Sequence, residues 1–234
     1  MTVKMDYDDL QIATSYDTER INIKLAEAAK YTLLRRLAPA MQHEITGGFQ
    51  PLRMVARVLD KRLKATEPDI SALIKTSGFM GKLLLDASAV CTKVISWLSP
   101  DKNDKVQVSI GIADSIKLLG TDFALRGFII DVSAPPSAVE VNAGALRQVF
   151  SISLIALTDL AAGPSRLSIS FQEDDEEVLV MIRSESVEGD EMLTGPADYR
   201  SVDWDDVKAL ASAEEVGLKR SCNGLELVFQ RRKP

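Results

Sequence analysis

"LRRLAPAMQHEITGGFQPLRMVARVLDKRL", residues 34–63, decides how this chain is read. Leu34, Leu37, Met41, Ile45, Phe49, Leu52, Val55, Leu59 and Leu63 recur three or four residues apart. That spacing is the stripe of a helix packed in a bundle. A helix turns by about 100° per residue, which puts Leu34, Leu37, Ile45, Leu52, Val55 and Leu59 within about 40° of Met41 and His43 about 200° away from it. His43, the only histidine of the chain, therefore belongs to the solvent face and not to the core. Arg36, Gln50, Met54 and Arg57 follow the same face, and its axial neighbours Ala40, Thr46 and Gly47 are small. Two adjacent helical glycines, Gly47 and Gly48, cost roughly 1 kcal/mol each relative to alanine. That cost makes sense where a partner, or a neighbouring helix, must approach the backbone closely. Pro39 either starts the helix afresh near Ala38 or kinks it. By default an isolated His-Glu pair on a helix surface is plain solvated surface. The chemistry allows more: an exposed imidazole is a nucleophile near neutral pH, and the adjacent Glu44 carboxylate can orient it or manage its proton.

Working outward, residues 17–98 read as helical. Asp17-Thr18-Glu19 is a plausible start, with acids in the first turn. "KATEPDI" breaks the pattern at Pro68, and Asp69 caps a second long helix that ends before Pro100. Two long helices joined by a short turn form a hairpin, and one with so much apolar surface pairs with another copy to complete a four-helix bundle. The polar run "DKNDK" at 101–105 is a natural boundary. Beyond it, "VQVSI" reads as a short strand, followed by a helix over Ala113–Leu119 and a strand at "GFIIDVS". Next come an amphipathic helix at "AGALRQVFSISLIALTDLA" and a hairpin at "RLSISFQEDDEEVLVMIRSE". A helix capped by Ser201 or Asp203 and the strand "NGLELVFQRR" close the chain. The expected fold class is α+β, with a helical hairpin over 17–100 and an α/β domain over 105–234 whose helices pack on one face of a mixed sheet.

Composition excludes several classes. A net charge of −6 and a pI near 5.0 argue against nucleic acid as a general partner. Cys91, Cys222 and a single histidine fit no zinc spacing. No stretch has the apolar length of a membrane span, and "MTVKMDYDDLQ" lacks the apolar core of a signal peptide. The expectation is a cytoplasmic protein. The two tryptophans, Trp97 and Trp204, read first as packing residues, and the acidic "EDDEE" at 173–177 as a solvated hairpin tip.

A bundle hairpin with an exposed His-Glu on its first helix, followed by a mixed α/β domain, resembles the two-component sensor histidine kinases. "HEITGGF" is similar to their phosphoacceptor box, "LRQVFSISLIALTDL" (146–160) to the helix carrying their N box, and "GLELVFQRR" to the last strand of their ATP-binding domain. The resemblance covers residues 20–232 and rests on the order of elements more than on any one motif. It implies that His43 is the phosphoacceptor and Glu44 its acid/base neighbour. It also implies that Arg36, Ala40, Gly47, Gln50, Met54 and Arg57 face a partner. The departures lie in the nucleotide site. Where the family has two asparagines, the second a magnesium ligand, this chain has Ile152 and Ala156. Where the family has an Asp-x-Gly-x-Gly motif, it has "RSESVEGDEMLTGP", with Ser184 or Ser186 at the Asp position and Gly189 and Gly195 left for turns. Gly47 and Gly48 stand where kinases often have Thr or Asn, and Pro.

A kinase shell that keeps the phosphoacceptor and loses the nucleotide site resembles the dimeric histidine phosphotransferases with a degenerate ATP-binding domain. That resemblance implies a homodimer that shuttles phosphoryl groups between receiver domains. It also implies no cofactor bound by this chain, because Mg²⁺ arrives with the receiver. The alternatives are a divergent autokinase and a pseudokinase-like regulator that binds a receiver or another kinase without taking phosphate.

Overall fold

The computed structural model describes residues 7–133, 137–187 and 200–232, with side chains from Thr18 onward. The fold is α+β, and among the described residues no helix is long and apolar enough to cross a membrane. The first helix, α1, runs unbroken over Tyr7–Leu63, through both Pro39 and Pro51. It thus begins well before the expected start at Asp17, and Pro39 does not start it afresh. After a short turn, α2 spans Ile70–Leu98, with the Asp69 side chain accepting from Ala72 N at 3.1 Å as its N-cap.

The chain divides into two compact units. One combines α1 up to Arg36 with the chain from Lys102 onward; the other is Leu37–Asp101. Residues 17–36, read from sequence as part of the hairpin, therefore pack in the α/β unit. Ala26, Ala29 and Leu33 are buried there, and Arg36 is engaged by an acid of a later helix.

The α/β unit opens with β1 (Lys105–Gln107), which pairs antiparallel with β3 (Glu140–Asn142). Helix α3 follows at once over Val108–Leu125, longer than the expected Ala113–Leu119, and it takes in the end of "VQVSI". The cause is a helical row: Val108, Ile112, Ser115, Leu119 and Phe123 are all buried. Gly127 at φ +81° then turns the chain into β2 (Ile129–Val132).

Helix α4 covers residues 143–159, with a π turn at Leu146–Phe150 between α-helical stretches Ala143–Ala145 and Ser151–Asp159. Nothing in the residue pattern announces that π turn. A β-carbon at Gly111 would overlap Leu146, so this glycine permits the close approach of α3 and α4. The hairpin β4 (Ser165–Glu173) and β5 (Glu177–Ser186) falls where expected. Helix α5 (Trp204–Ala213) is held by a capping box between Asp203 and Asp206. The strands β6 (Gly217–Ser221), absent from the sequence reading, and β7 (Gly224–Gln230) complete a sheet of order β2-β4-β5-β7-β6.

Only β2–β4 is parallel, with α4 in the crossover between them. Antiparallel register aligns Phe171 with Val180 and Ile169 with Ile182, and then Val180 with Leu227 and Ile182 with Leu225. These residues are buried, while their strand neighbours Ser168, Ser170 and Met181 are less so. The helices cover that apolar face.

Asp159, at the end of α4, ties three parts of this unit together. Its carboxylate receives both terminal nitrogens of Arg36 from α1 at 3.1 Å each, Nη2 of Arg126 at 3.1 Å, and the backbone N–H of Val202 at 3.1 Å. The side chains of Arg36, Arg126 and Asp159 are 5%, 4% and 2% exposed. A buried charge that loses its counter-charge costs about 3–5 kcal/mol. Asp159→Ala is expected to lower the unfolding free energy of the full chain by about that amount in urea titration.

Candidate functional site

The exposed row of α1 is built by helix geometry alone. Leu37 and Met41 are buried, Ile45, Phe49, Leu52, Val55 and Leu59 half-buried, and Leu63 exposed; His43, Thr46, Gly47, Gln50, Met54 and Arg57 are exposed. Ala40 and Glu44 are half-buried flanks of that row. The helix thus gathers His43, Gly47, Gln50, Met54 and Arg57 on one open face.

Arg36 does not belong to that face. By rotation alone it lies near His43, but its guanidinium is engaged bidentately by Asp159, with Asp122 Oδ2 at 3.8 Å. A buried, paired guanidinium is withdrawn from docking, so the sequence expectation for Arg36 is corrected to a structural role. Sequence reasoning could not find this, because its partner is 123 residues away along the chain.

The two glycines have separate causes. Gly48 faces α2: a β-carbon there would stand 3.6 Å from Val90 Cγ2 and 3.7 Å from the Cα of Ala87. A β-carbon at Gly47 would meet nothing within 4 Å. Intramolecular packing therefore accounts for a small residue at Gly48 and for none at Gly47. Pro51, missed as a feature in the sequence reading, sits exposed in the same helix one turn beyond Gly47.

In the α/β unit, the positions that the kinase resemblance assigns to the cation do not fit one. Ile152 and Ala156 are apolar and fully buried, and hard cations need oxygen ligands. Among the described residues there is no group of three His, Cys, Asp or Glu placed to hold a metal ion. Ser184 and Ser186 lie on β5, while Gly189 and Gly195 lie outside the described residues. Trp204, at the start of α5, stacks under the Arg220 guanidinium at 4.3 Å, which gives this tryptophan a packing role. At the acidic hairpin tip, the backbone N–H groups of Glu176 and Glu177 donate to Asp174 at 2.9 and 2.7 Å. They hold its carboxyl below the ordinary value. The tip is a capped turn.

No protein-family model and no curated protein matches the chain. Among solved structures it is similar to the Acinetobacter baumannii histidine kinase AdeS, at 12% identity and a TM-score of 0.44, over 79% of this chain and 98% of that one. It is also similar to the mycobacterial sensor histidine kinase MprB, at 12% identity and a TM-score of 0.40, over 56% of this chain and 99% of that one. A bacterial phosphotransferase gives 9% identity and a TM-score of 0.35, over 86% of this chain and 95% of that one. Similarities of this size say nothing about activity, which is read below from the residues.

The two glycines respond differently to substitution. Gly47→Ala is expected to raise helix stability by about 1 kcal/mol, since the added methyl meets no atom. Gly48→Leu is expected to lower stability by about 1–3 kcal/mol by wedging α1 from α2. Urea unfolding of the two variants beside the parent chain checks both signs.

Proposed function

We propose that this chain is a histidine phosphotransfer protein that carries a phosphoryl group on His43 between aspartates of receiver domains. The observation that carries the reading is the open row of α1: an exposed imidazole beside a carboxylate, followed by a glycine that no intramolecular contact requires.

The step needs little from the chain beyond that. The lone-pair nitrogen of His43 attacks phosphorus of the aspartyl phosphate. An N–P bond forms, the P–O bond breaks, and the aspartate carboxylate leaves with the electron pair. The proton on the other ring nitrogen departs, and Glu44 serves as its acceptor or as the group that orients the ring. Return transfer to a second receiver aspartate reverses these changes. The Mg²⁺ that offsets the acyl-phosphate charge comes with the receiver in this reading, consistent with the apolar character of Ile152 and Ala156.

Charge supports an acidic partner. Residues 37–101 hold eight Lys and Arg against six Asp and Glu, in a chain that holds 28 against 34 overall. The hairpin is therefore the less acidic unit, which favours encounter with an acidic phosphoacceptor pocket.

The partner of the hairpin's apolar side is a second copy. Two helices alone enclose no core, and Ile74, Phe79, Leu84 and Leu85 of α2 are left exposed. Light scattering is expected to give twice the 25.6 kDa chain mass, with Leu85→Glu shifting it toward the monomer.

Two incubations test the transfer reading. The chain is mixed with Mg²⁺ and γ-labelled ATP in one, and with pre-phosphorylated receiver domains in the other, with His43→Ala alongside. Label is expected from a receiver and not from ATP, and none is expected on the variant. Label taken directly from ATP would establish an autokinase instead. No label from any receiver, with binding retained, would make the chain a docking regulator.

A further inference from the structure

Two contacts lock the helices of the hairpin in register. Gly48 lies against Ala87 and Val90, and Arg62 donates to Thr76 Oγ1 at 2.6 Å. In an antiparallel pair these contacts set Val55 level with Leu83 and Val58 level with Phe79. Val55 and Leu83 are half-buried between the helices. From the line that Gly48 and Arg62 draw toward α2, Val58 is turned by about 60°, Met54 by about 100° and His43 by about 120°, all in one sense. From the line that Thr76, Ala87 and Val90 draw toward α1, Phe79 is turned by about 50° in that same sense. Equal senses lead to the same side of an antiparallel pair. Met54, Val58 and Phe79 therefore stand together on the His43 side of the hairpin, over a floor of Val55 and Leu83.

These three side chains are 61%, 45% and 53% exposed. Ile70, Leu84 and Ile95 of α2, also exposed, are turned by about 90–130° the opposite way. A second copy seated on that opposite row leaves Phe79 and its two neighbours uncovered. Around them the charge is mostly positive: Lys61, Lys75 and Lys82 are exposed on the same side, against Asp86. An exposed apolar centre inside a charged rim is the anatomy of a protein interface. Along α1, Met54 and Val58 lie about 16 and 22 Å from His43. A folded domain of about 100 residues has a radius of gyration of about 13 Å, so one such domain covers His43 and the patch together.

We propose that Met54, Val58 and Phe79 seat the receiver-type partner, taking an apolar surface of that domain bordered by Asp or Glu side chains. This inference rests on the reading of His43 as the phosphoacceptor. It adds α2 to the docking surface, through Phe79.

Val58→Glu and Phe79→Glu test both walls of the patch in the full chain, with Phe79→Lys beside them. Transfer from a phosphorylated receiver is followed under steady-state conditions, with thermal melting and light scattering on the same samples. Both Glu variants are expected to raise the KM for the receiver at least tenfold, with melting temperature and scattering mass unchanged because the altered side chains are exposed. Phe79→Lys is expected to raise it less than Phe79→Glu, since lysine meets the carboxylates of the partner and glutamate is repelled by them. An unchanged KM in either Glu variant would overturn the inference. A lower scattering mass in those variants would assign the patch to the second copy and overturn it as well. A larger rise in Phe79→Lys than in Phe79→Glu would overturn the acidic border, and with it the partner chemistry proposed. In each of these cases, label on the parent and its loss in His43→Ala would leave the phosphotransfer reading intact. A parent chain that takes no label from any receiver would remove that reading and this inference together.

Discussion

A single buried carboxylate organises the α/β unit. Asp159 closes α4, and it is met by guanidinium groups from Arg36 in α1 and from Arg126 just past α3, and by the backbone entering α5. Two positive charges on one buried anion form a costly arrangement unless every partner is held, because desolvation must be offset by Coulomb attraction and hydrogen bonds together. Arg126 is held further by Thr158 O at 2.8 Å and stacks on Phe128. The same cluster explains why the first stretch of α1 belongs to the α/β unit. Below Arg36 the helix buries Ala26, Ala29 and Leu33, and beyond it the buried residues pass to Leu37 and Met41. Thr32 adds a small contribution, at 3.5 Å from an Arg200 that also grips Asp206.

Helix α1 therefore serves two units with one continuous backbone, and its exposed face is what remains after both have been supplied. In the hairpin the contact with α2 is narrow. Gly48 brings the backbones close, Asp69 starts α2, and Arg62 donates to Thr76 Oγ1 at 2.6 Å near the turn. Among the described residues of α2 the buried ones are Thr76, Ala87, Val94 and Trp97. So thin a seam leaves apolar side chains in water. The His43 face differs in kind: it is polar, bare of bulk at Gly47, and interrupted in its backbone hydrogen bonding by Pro51.

The α/β unit has the opposite character. Its α4 helix is buried on nearly every side across Ser151–Ala156, with Ile152 and Ala156 fully enclosed. A helix apolar all round lies inside a core. Gln148, inside the π turn, and Ser151, just after it, are buried on this same helix and among the described side-chain groups left without a hydrogen-bond partner. A buried polar group without a partner carries a desolvation cost that apolar neighbours cannot return.

Local physics accounts for what could be read from the chain. Period 3.6 along residues 34–63 placed His43, Gly47, Gln50, Met54 and Arg57 on the exposed face, because rotation per residue is a property of the helix itself. Period 2 in β4 and β5, Asp69 and Asp203 as caps, and the polar run after Pro100 were legible for the same reason. Contacts between residues far apart in sequence decided the rest. Arg36 left the open face because Asp159 is brought to it by the fold. The roles of Gly47 and Gly48 separated only once α2 lay against one of them and not the other. The extent of α1, the π turn of α4 and the short β6 likewise depend on which surfaces meet, since packing free energy outweighs the small local preferences that a residue pattern expresses.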